Sequence, residues 1–353
     1  MKKQIALIIL FNIYLLTPGQ KITTELPCTN EIAEKTRGKW IQERDNGTYN
    51  TKETNSRLDE IHQLFLQIYP QPIGLDASWR RTAGISYFGA KRKYYNTNDG
   101  RLTFDYSNLA HFTYYYYAAG FFSYRCEYGK TYSMVPGYPG ETGTWLGVMA
   151  NNKFNDPMAD DDWTINGLPV LLKKPALSVN DGIEILQTEP GINRREVYIY
   201  RKGALPYIPV TRKQYLERCI IYHTKLWNDI ITGFEQLPAQ IKDEQIAKAK
   251  KNKEDELKKF TDELEKTTHE GLLDSPAMIR VQYYSAPVFE TDAAIGLMLI
   301  TENPDYIHKN LPKYVPQFFI VYWSWDNGAP QKKLAELIER DFPFDKLQAM
   351  IDK

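Results

Sequence analysis

Apolar and polar positions alternate with different periods along the 353-residue chain, and each change of period marks an element. Ile5 to Leu16, IALIILFNIYLL, is an apolar run behind Lys2 and Lys3. It is too short to span a hydrocarbon core of about 30 Å, and Thr17-Pro18-Gly19 follows it with small and turn-forming residues. A basic start, a short apolar run and a small-residue exit predict a secretory signal peptide over 1–19. The alternative is an uncleaved N-terminal anchor. No later stretch is apolar enough to cross a membrane, so no transmembrane span is expected after cleavage.

Residues 20–55 are polar and turn-rich. Ser56 with Asp59 three residues on predicts a helix start. Leu58, Ile61, Phe65 and Ile68 recur at helical spacing as its core face, and Pro70 and Pro72 stop it. From Trp79 to Val148, aromatic and β-branched runs alternate with turn signals: Thr97-Asn98-Asp99-Gly100, Tyr128-Gly129 and Pro136-Gly137-Tyr138-Pro139-Gly140. Several antiparallel strands are expected there, the most aromatic being His111 to Tyr128. Within it Tyr114 to Tyr117 must alternate between two faces. The polar stretch 151–162 reads as a boundary. It divides an aromatic strand-rich region, 20–155, from an α+β region, 156–353.

Strands are expected near Pro169 to Lys173, Ile183 to Gln187 and Glu196 to Lys202. The segment PYIPVTRKQYL, Pro206 to Leu216, then runs from an extended stretch into a helix, with Thr211 and Gln214 at capping-box spacing. Leu216, Ile220, Trp227, Ile230 and Phe234 share one face of a helix from Arg212 to about Phe234. Pro238 opens a second. Glu244 with Lys248, Glu254 with Lys258, Asp255 with Lys259 and Asp262 with Lys266 have the favoured i, i+4 order for ion pairs. Lys250 to Glu256 holds no apolar residue, so a charged helical hairpin over about 211–271 should stand its tip in water. Beyond it come strands at Met278 to Tyr284 and Gln317 to Trp325. A helix starting at Pro330 carries Leu334, Leu337 and Ile338, and a last short one carries Phe344, Leu347, Met350 and Ile351. The predicted fold class is α+β: an antiparallel strand-rich N-terminal region plus a C-terminal α+β region with a long charged helical hairpin.

Basic and acidic residues balance at 44 each, which gives no electrostatic reason to expect nucleic acid as a partner. Three cysteines in an exported chain allow at most one internal disulfide. Cys28 with Cys126 is the pairing the arrangement suggests, because Cys219 sits in a packed helix; three free buried thiols are the alternative. Sequence motifs for a nucleophile elbow (G-x-S-x-G), S-x-x-K, H-E-x-x-H, a phosphate loop, C-x-x-C and a calcium loop are all absent. No catalytic residue and no cofactor are therefore indicated. Cys219 and His223 lie four apart with ligand chemistry that suits zinc, but a packed thiol and a hydrogen-bonded histidine explain them as well. Asp156 with Asp160-Asp161-Asp162 could meet Ca²⁺ or form a solvated loop. No metal is expected.

Two features point towards binding. Tyr138, Trp145 and Trp163 flank turns, where aromatic faces can stack on sugar rings; ordinary strand propensity is the other explanation. Between Arg194 and Arg218 lie seven bases and two acids, Arg201, Arg212 and Lys213 among the bases. Cations at a helix start oppose its dipole by about 0.3–1 kcal/mol each. Either Arg212 and Lys213 reach acids elsewhere, or free amides and these cations hold a carboxylate or phosphate.

PYIPVTRKQYL, Leu273-Asp274-Ser275-Pro276-Ala277, Lys313-Tyr314-Val315-Pro316-Gln317-Phe318-Phe319 and Phe342-Pro343-Phe344-Asp345-Lys346-Leu347 together resemble segments of uncharacterised exported bacterial proteins. The resemblance covers mainly the second half. It implies an exported protein of a bacterial envelope, located in the periplasm, at the outer membrane or outside the cell, and it transfers no activity. The expectation is a non-enzymatic protein that binds an envelope component, a glycan or an anionic polymer, or a protein partner. The alternatives are a hydrolase using a carboxylate pair and an assembly protein that docks through the helical hairpin. The oligomeric state is left open.

Overall fold

The computed structural model describes residues 29–45, 50–88, 92–93, 103–104, 110–127, 130–133, 143–151, 164–165, 168–169, 171–188, 191–280, 289–303 and 305–353. The expected signal segment, Cys28, Tyr138, Trp163, Asp156 and Asp160 to Asp162 lie outside these residues. In chain order the elements are α1 (Asn30–Lys35), β1 (Trp40–Gln42), α2 (Lys52–Ile68), β2 (Leu75–Phe88), β3 (Ala110–Glu127), β4 (Lys130–Ser133) and β5 (Trp145–Ala150). There follow β6 (Leu171–Lys173), β7 (Ala176–Asn180), β8 (Ile183–Leu186), β9 (Arg194–Ile199), β10 (Tyr207–Pro209), α3 (Arg212–Phe234) and α4 (Ala239–His269). The chain closes with β11 (Met278–Ile279), β12 (Leu297–Glu302), β13 (Phe319–Ser324), α5 (Ala329–Asp341) and α6 (Phe344–Met350). The class is α+β, with the long helical hairpin α3–α4 in place.

The large sheet has the order β1-β2-β3-β5-β13-β9-β8-β7, and β4 pairs with the end of β3. Only β1 and β2 run parallel among the pairs along this path. Strand β13 sits between β5 and β9: Phe319 lies opposite Ala150 on one side and Ile199 on the other. Strands from both sides of residue 155 thus share one sheet. A smaller antiparallel sheet places β12 between β6 on one edge and β10 and β11 on the other.

Strand alternation sorts the side chains into layers. One face of the large sheet carries Tyr115, Tyr117, Leu146, Val148, Val321 and Val197, packed against Leu58 and Phe65 of α2, Leu334 and Ile338 of α5 and Leu347 of α6. The other face carries Tyr198, Ile320, Tyr322 and Met149, which meet Tyr207 and Ile300 of the small sheet. Strand β12 alternates in turn: Leu299 faces away, into a cluster with Tyr215, Leu216, Cys219 and Phe260 at the hairpin base. The alternation expected across the tyrosine run is met. Tyr115 and Tyr117 are buried under the helices, while Tyr116 turns to the other face and stacks on Tyr322 at 6.1 Å between centroids. Gly147 lets these two rings cross β5, since a Cβ there would lie 2.4 Å from Tyr322 and 2.8 Å from Tyr116.

Three local expectations need correction. Helix α2 starts one turn earlier than Ser56, because Thr51 forms a capping box with Thr54. In α4, Lys258 pairs with Asp262 at 2.7 Å rather than with Glu254, and Lys266 pairs with Glu263 at 3.4 Å rather than with Asp262. These side chains are mostly exposed, so several acids compete for each lysine at nearly equal energy. The three-free-thiols alternative also falls, since Cys126 is disulfide-bonded and only Cys219 among the described cysteines is free and buried. Helix α3, by contrast, runs from Arg212 to Phe234 as expected, with the Thr211–Gln214 capping box present.

His62 lies under this sheet. Its ring stacks on Trp79 at 3.9 Å, and Nδ1 is 3.0 Å from the Tyr117 hydroxyl. Burial lowers its pKa to about 4, with Asp59 opposing weakly. Below its ordinary value of 6.5 the unfolded chain takes up a proton that the folded chain refuses until near pH 4. Stability contributed by neutral His62 should therefore be lost as pH falls through that window, by up to about 3 kcal/mol. Urea unfolding at pH 7 and pH 4 should show the wild type losing more than His62→Phe by about this amount. Equal losses would mean that the folded protein binds the proton.

Candidate functional site

Lys173 ends β6 in the small sheet, and Glu184 lies in β8 of the large one. Their side chains are 0% and 2% exposed and form an ion pair at 2.6 Å. A lone buried charge of either sign would be strongly unfavourable, so each needs several partners. The Lys173 ammonium also donates to the Lys174 carbonyl at 3.1 Å and lies 5.0 Å from the Tyr207 ring and 5.7 Å from the Tyr198 ring. The Tyr207 hydroxyl donates to the Glu184 carboxylate at 2.9 and 3.0 Å. Burial pushes the Lys173 pKa down, and Glu184 partly offsets this. Burial pushes the Tyr200 hydroxyl up to about 12, with the Glu184 charge adding to it. The Tyr207 hydroxyl rises for the same two reasons. Both phenols stay protonated at neutral pH.

Glu196 lies on the same face of the sheet as Glu184, one step along the diagonal: Glu184 is opposite Tyr198, two residues from Glu196. Its charge is felt at Lys173. With Lys174, Thr188, Ile192, Arg194 and Arg195 it lines a cleft of about 210 Å³. Thr188 ties the rim together. Its hydroxyl donates to the Arg194 carbonyl at 3.0 Å and accepts from the Arg195 guanidinium at 2.6 Å. Arg195 also pairs with Glu339 at 2.8 Å and lies 5.6 Å from the Trp325 ring. The Arg194 guanidinium lies 4.0 Å from Glu196 and 5.9 Å from the rings of both Trp145 and Tyr322. Three bases and one acid therefore line a cleft whose two arginines lie beside aromatic rings. Such a site can hold an anion by charge and directed N–H groups.

Glu184 and Glu196 project from the same face of neighbouring strands. Yet Glu184 is sealed under Lys173 and Tyr207, where no substrate atom can reach it.

Of the residues named from the sequence, Trp145 reaches this cleft through Arg194. Arg201, Arg212 and Lys213 do not. Arg201 is a structural hub: it pairs with Asp352 at 2.5 Å, donates to Gln317 at 2.9 Å and to the Tyr306 carbonyl, and stacks over the Tyr306 ring at 4.0 Å. Lys213 lies 3.9 Å from Glu217, and Arg212 lies 4.6 Å from the Phe289 ring. The amides at the helix start are taken. Arg212 N–H bonds to the Ser275 carbonyl at 2.9 Å, Lys213 N–H to the Leu273 carbonyl at 3.0 Å and Gln214 N–H to the Thr211 hydroxyl at 3.2 Å. His223 is buried with its Nδ1 3.1 Å from Glu256, burial lowers its pKa, and Glu256 accepts from the Trp227 indole at 2.5 Å. Among the described residues no group of three or more His, Cys, Asp or Glu could hold a metal ion, and no helix is long and apolar enough to cross a membrane. Sequence reasoning missed Lys173, Glu184 and Glu196; a lysine closing an apolar strand was the one signal available.

The chain matches no protein-family model, and no curated protein or solved structure is significantly similar to it.

Lys173→Met should destabilise the protein by about 3–5 kcal/mol, because it leaves Glu184 charged and buried. The triple replacement Lys173→Met, Glu184→Leu and Tyr207→Phe should recover most of this, since no polar group is then stranded. Urea unfolding measures both. A single-variant cost below about 1 kcal/mol, the range of an exposed pair, would show that the pair is not sealed.

Proposed function

We propose that the protein is an exported, non-enzymatic binding protein of the cell envelope, and that its ligand is an anionic polymer such as an acidic glycan. One observation carries this reading: Lys174, Arg194 and Arg195 line a single cleft with one carboxylate, that of Glu196. A repeated carboxylate or phosphate would lie across the cations, and the sugar face would find Trp145 behind Arg194. The Cys126 disulfide supports export, since disulfides persist in oxidising compartments. The N-terminal pattern supports it independently. The helix start at Arg212 is a weaker candidate than the sequence suggested, because its amides are occupied.

Thermal unfolding of the full chain with alginate, inorganic polyphosphate and neutral dextran tests the proposal. A ligand that binds only the folded state raises the midpoint. Alginate or polyphosphate should raise it, dextran should not, and Arg194→Ala with Lys174→Ala should remove most of the rise. An undiminished rise in that variant would move the ligand elsewhere. No rise with either polyanion would sink the proposal.

A further inference from the structure

The cleft of Lys174, Arg194 and Arg195 contains a group that a plain anion trap would leave out. Glu196 lines it among the three bases. It comes from β9, opposite Tyr322 of β13, and shares a face with Arg194 two residues away. The Arg194 and Glu196 side chains are 20% and 13% exposed, and the 4.0 Å between them is a charge contact, too long for a hydrogen bond. A carboxylate only accepts hydrogen bonds. What it can take from a ligand is therefore a hydroxyl or an ammonium, never a second anion.

The charges decide between those two. Arg195 is paired with Glu339 at 2.8 Å and donates to Thr188 at 2.6 Å. The three cations less the charges of Glu196 and Glu339 leave one net positive charge. One anionic group per bound unit balances it. A unit carrying both an ammonium and a carboxylate is neutral and would leave it unbalanced, while adjacent phosphates would set further negative charge against Glu196. The size agrees with a single unit: about 210 Å³ lies below the roughly 300–1,000 Å³ of sites that enclose a drug-sized ligand. The lining also has an apolar side, because Ile192 borders the cleft and is 48% exposed.

We propose, resting on the anionic-glycan reading above, that the cleft takes one uronate unit of a glycan and that Glu196 sets this choice. Lys174 and Arg194 hold the carboxylate of the sugar. Glu196 accepts from its hydroxyls, and Ile192 covers C–H surface of the ring. A polyphosphate offers neither hydroxyl nor C–H surface, so Glu196 acts against it by like charge and for the sugar acid by hydrogen bonding.

Isothermal titration calorimetry of the full chain with alginate, polyacrylate and inorganic polyphosphate at equal charge tests this. Polyacrylate carries carboxylates without hydroxyls or sugar rings. Alginate should bind more tightly than either by about tenfold or more, the worth of one hydrogen bond to a charged group. Glu196→Gln should remove most of that preference, weakening alginate and strengthening polyphosphate. Ile192→Ser, at an exposed position that folding tolerates, should weaken alginate by about threefold through lost apolar burial and leave polyphosphate unchanged. Equal affinity for alginate and polyacrylate in the wild type would overturn the proposal. So would a preference that survives in Glu196→Gln; if that variant does not fold, the polyacrylate comparison and Ile192→Ser decide. Alginate binding that is undiminished by Arg194→Ala with Lys174→Ala would remove the cleft reading itself, and this proposal with it. Binding of all three polymers that depends on those two cations but shows no preference would remove the uronate choice alone.

Discussion

The ion pair between Lys173 and Glu184 is the contact on which the layering depends. Each charge lies where water cannot reach it, and each is tolerable only because the other is 2.6 Å away. A slip of β6 by one residue would turn Lys173 to the opposite face of its strand and leave Glu184 buried alone. The pair therefore fixes the register of the small sheet on the large one. It also fixes Lys174, whose carbonyl accepts from the Lys173 ammonium, and with it one wall of the cleft. A polar contact that adds little net stability can still select one arrangement among several apolar ones.

The arginines near residue 200 show how one local excess of charge divides its labour. Arg201 is spent on the C-terminal segment, where Asp352, Gln317 and Tyr306 take its donors. Arg195 is half structural, tied to Glu339 and Thr188. Arg194 faces the cleft. Nothing in the spacing of these residues separates the roles; the strand alternation and the loop that follows β9 do.

Features set by neighbouring residues were legible in the sequence. The helix from Arg212 to Phe234, its capping box, the sorting of Tyr114 to Tyr117 and the charged hairpin depend on local period and local hydrogen bonds. What depends on distant pairing was not. Ala176 to Asn180 has no strong alternation of its own and was missed, although Asp181-Gly182, both at positive φ, marks the hairpin turn that sets it on the ladder offered by Ile183 to Leu186. The 151–162 boundary marks a change of composition, yet β13 crosses it by entering the sheet between β5 and β9. Lys173, Glu184 and Glu196 come from three strands in two sheets, so their meeting has no signature in spacing. That the amides of the helix start are occupied was hidden for a related reason. The carbonyls that occupy its amides belong to Leu273 and Ser275, some sixty residues away along the chain.

The place of β13 has a further consequence for how the chain is made. β2, β3 and β5 form one ladder of near neighbours, and β7, β8 and β9 form another. The strand that joins them is supplied by residues 319–324, close to the end of the sequence. Until that segment emerges, β5 and β9 are open edges lined by apolar side chains, and the core between them has no middle. The first three hundred residues thus form two half-sheets awaiting a keystone, with a loop closure of long range still to be met. A chain that emerges from its N-terminus would carry both open edges until residues 319–324 arrive, and those edges need protection from neighbouring chains until then.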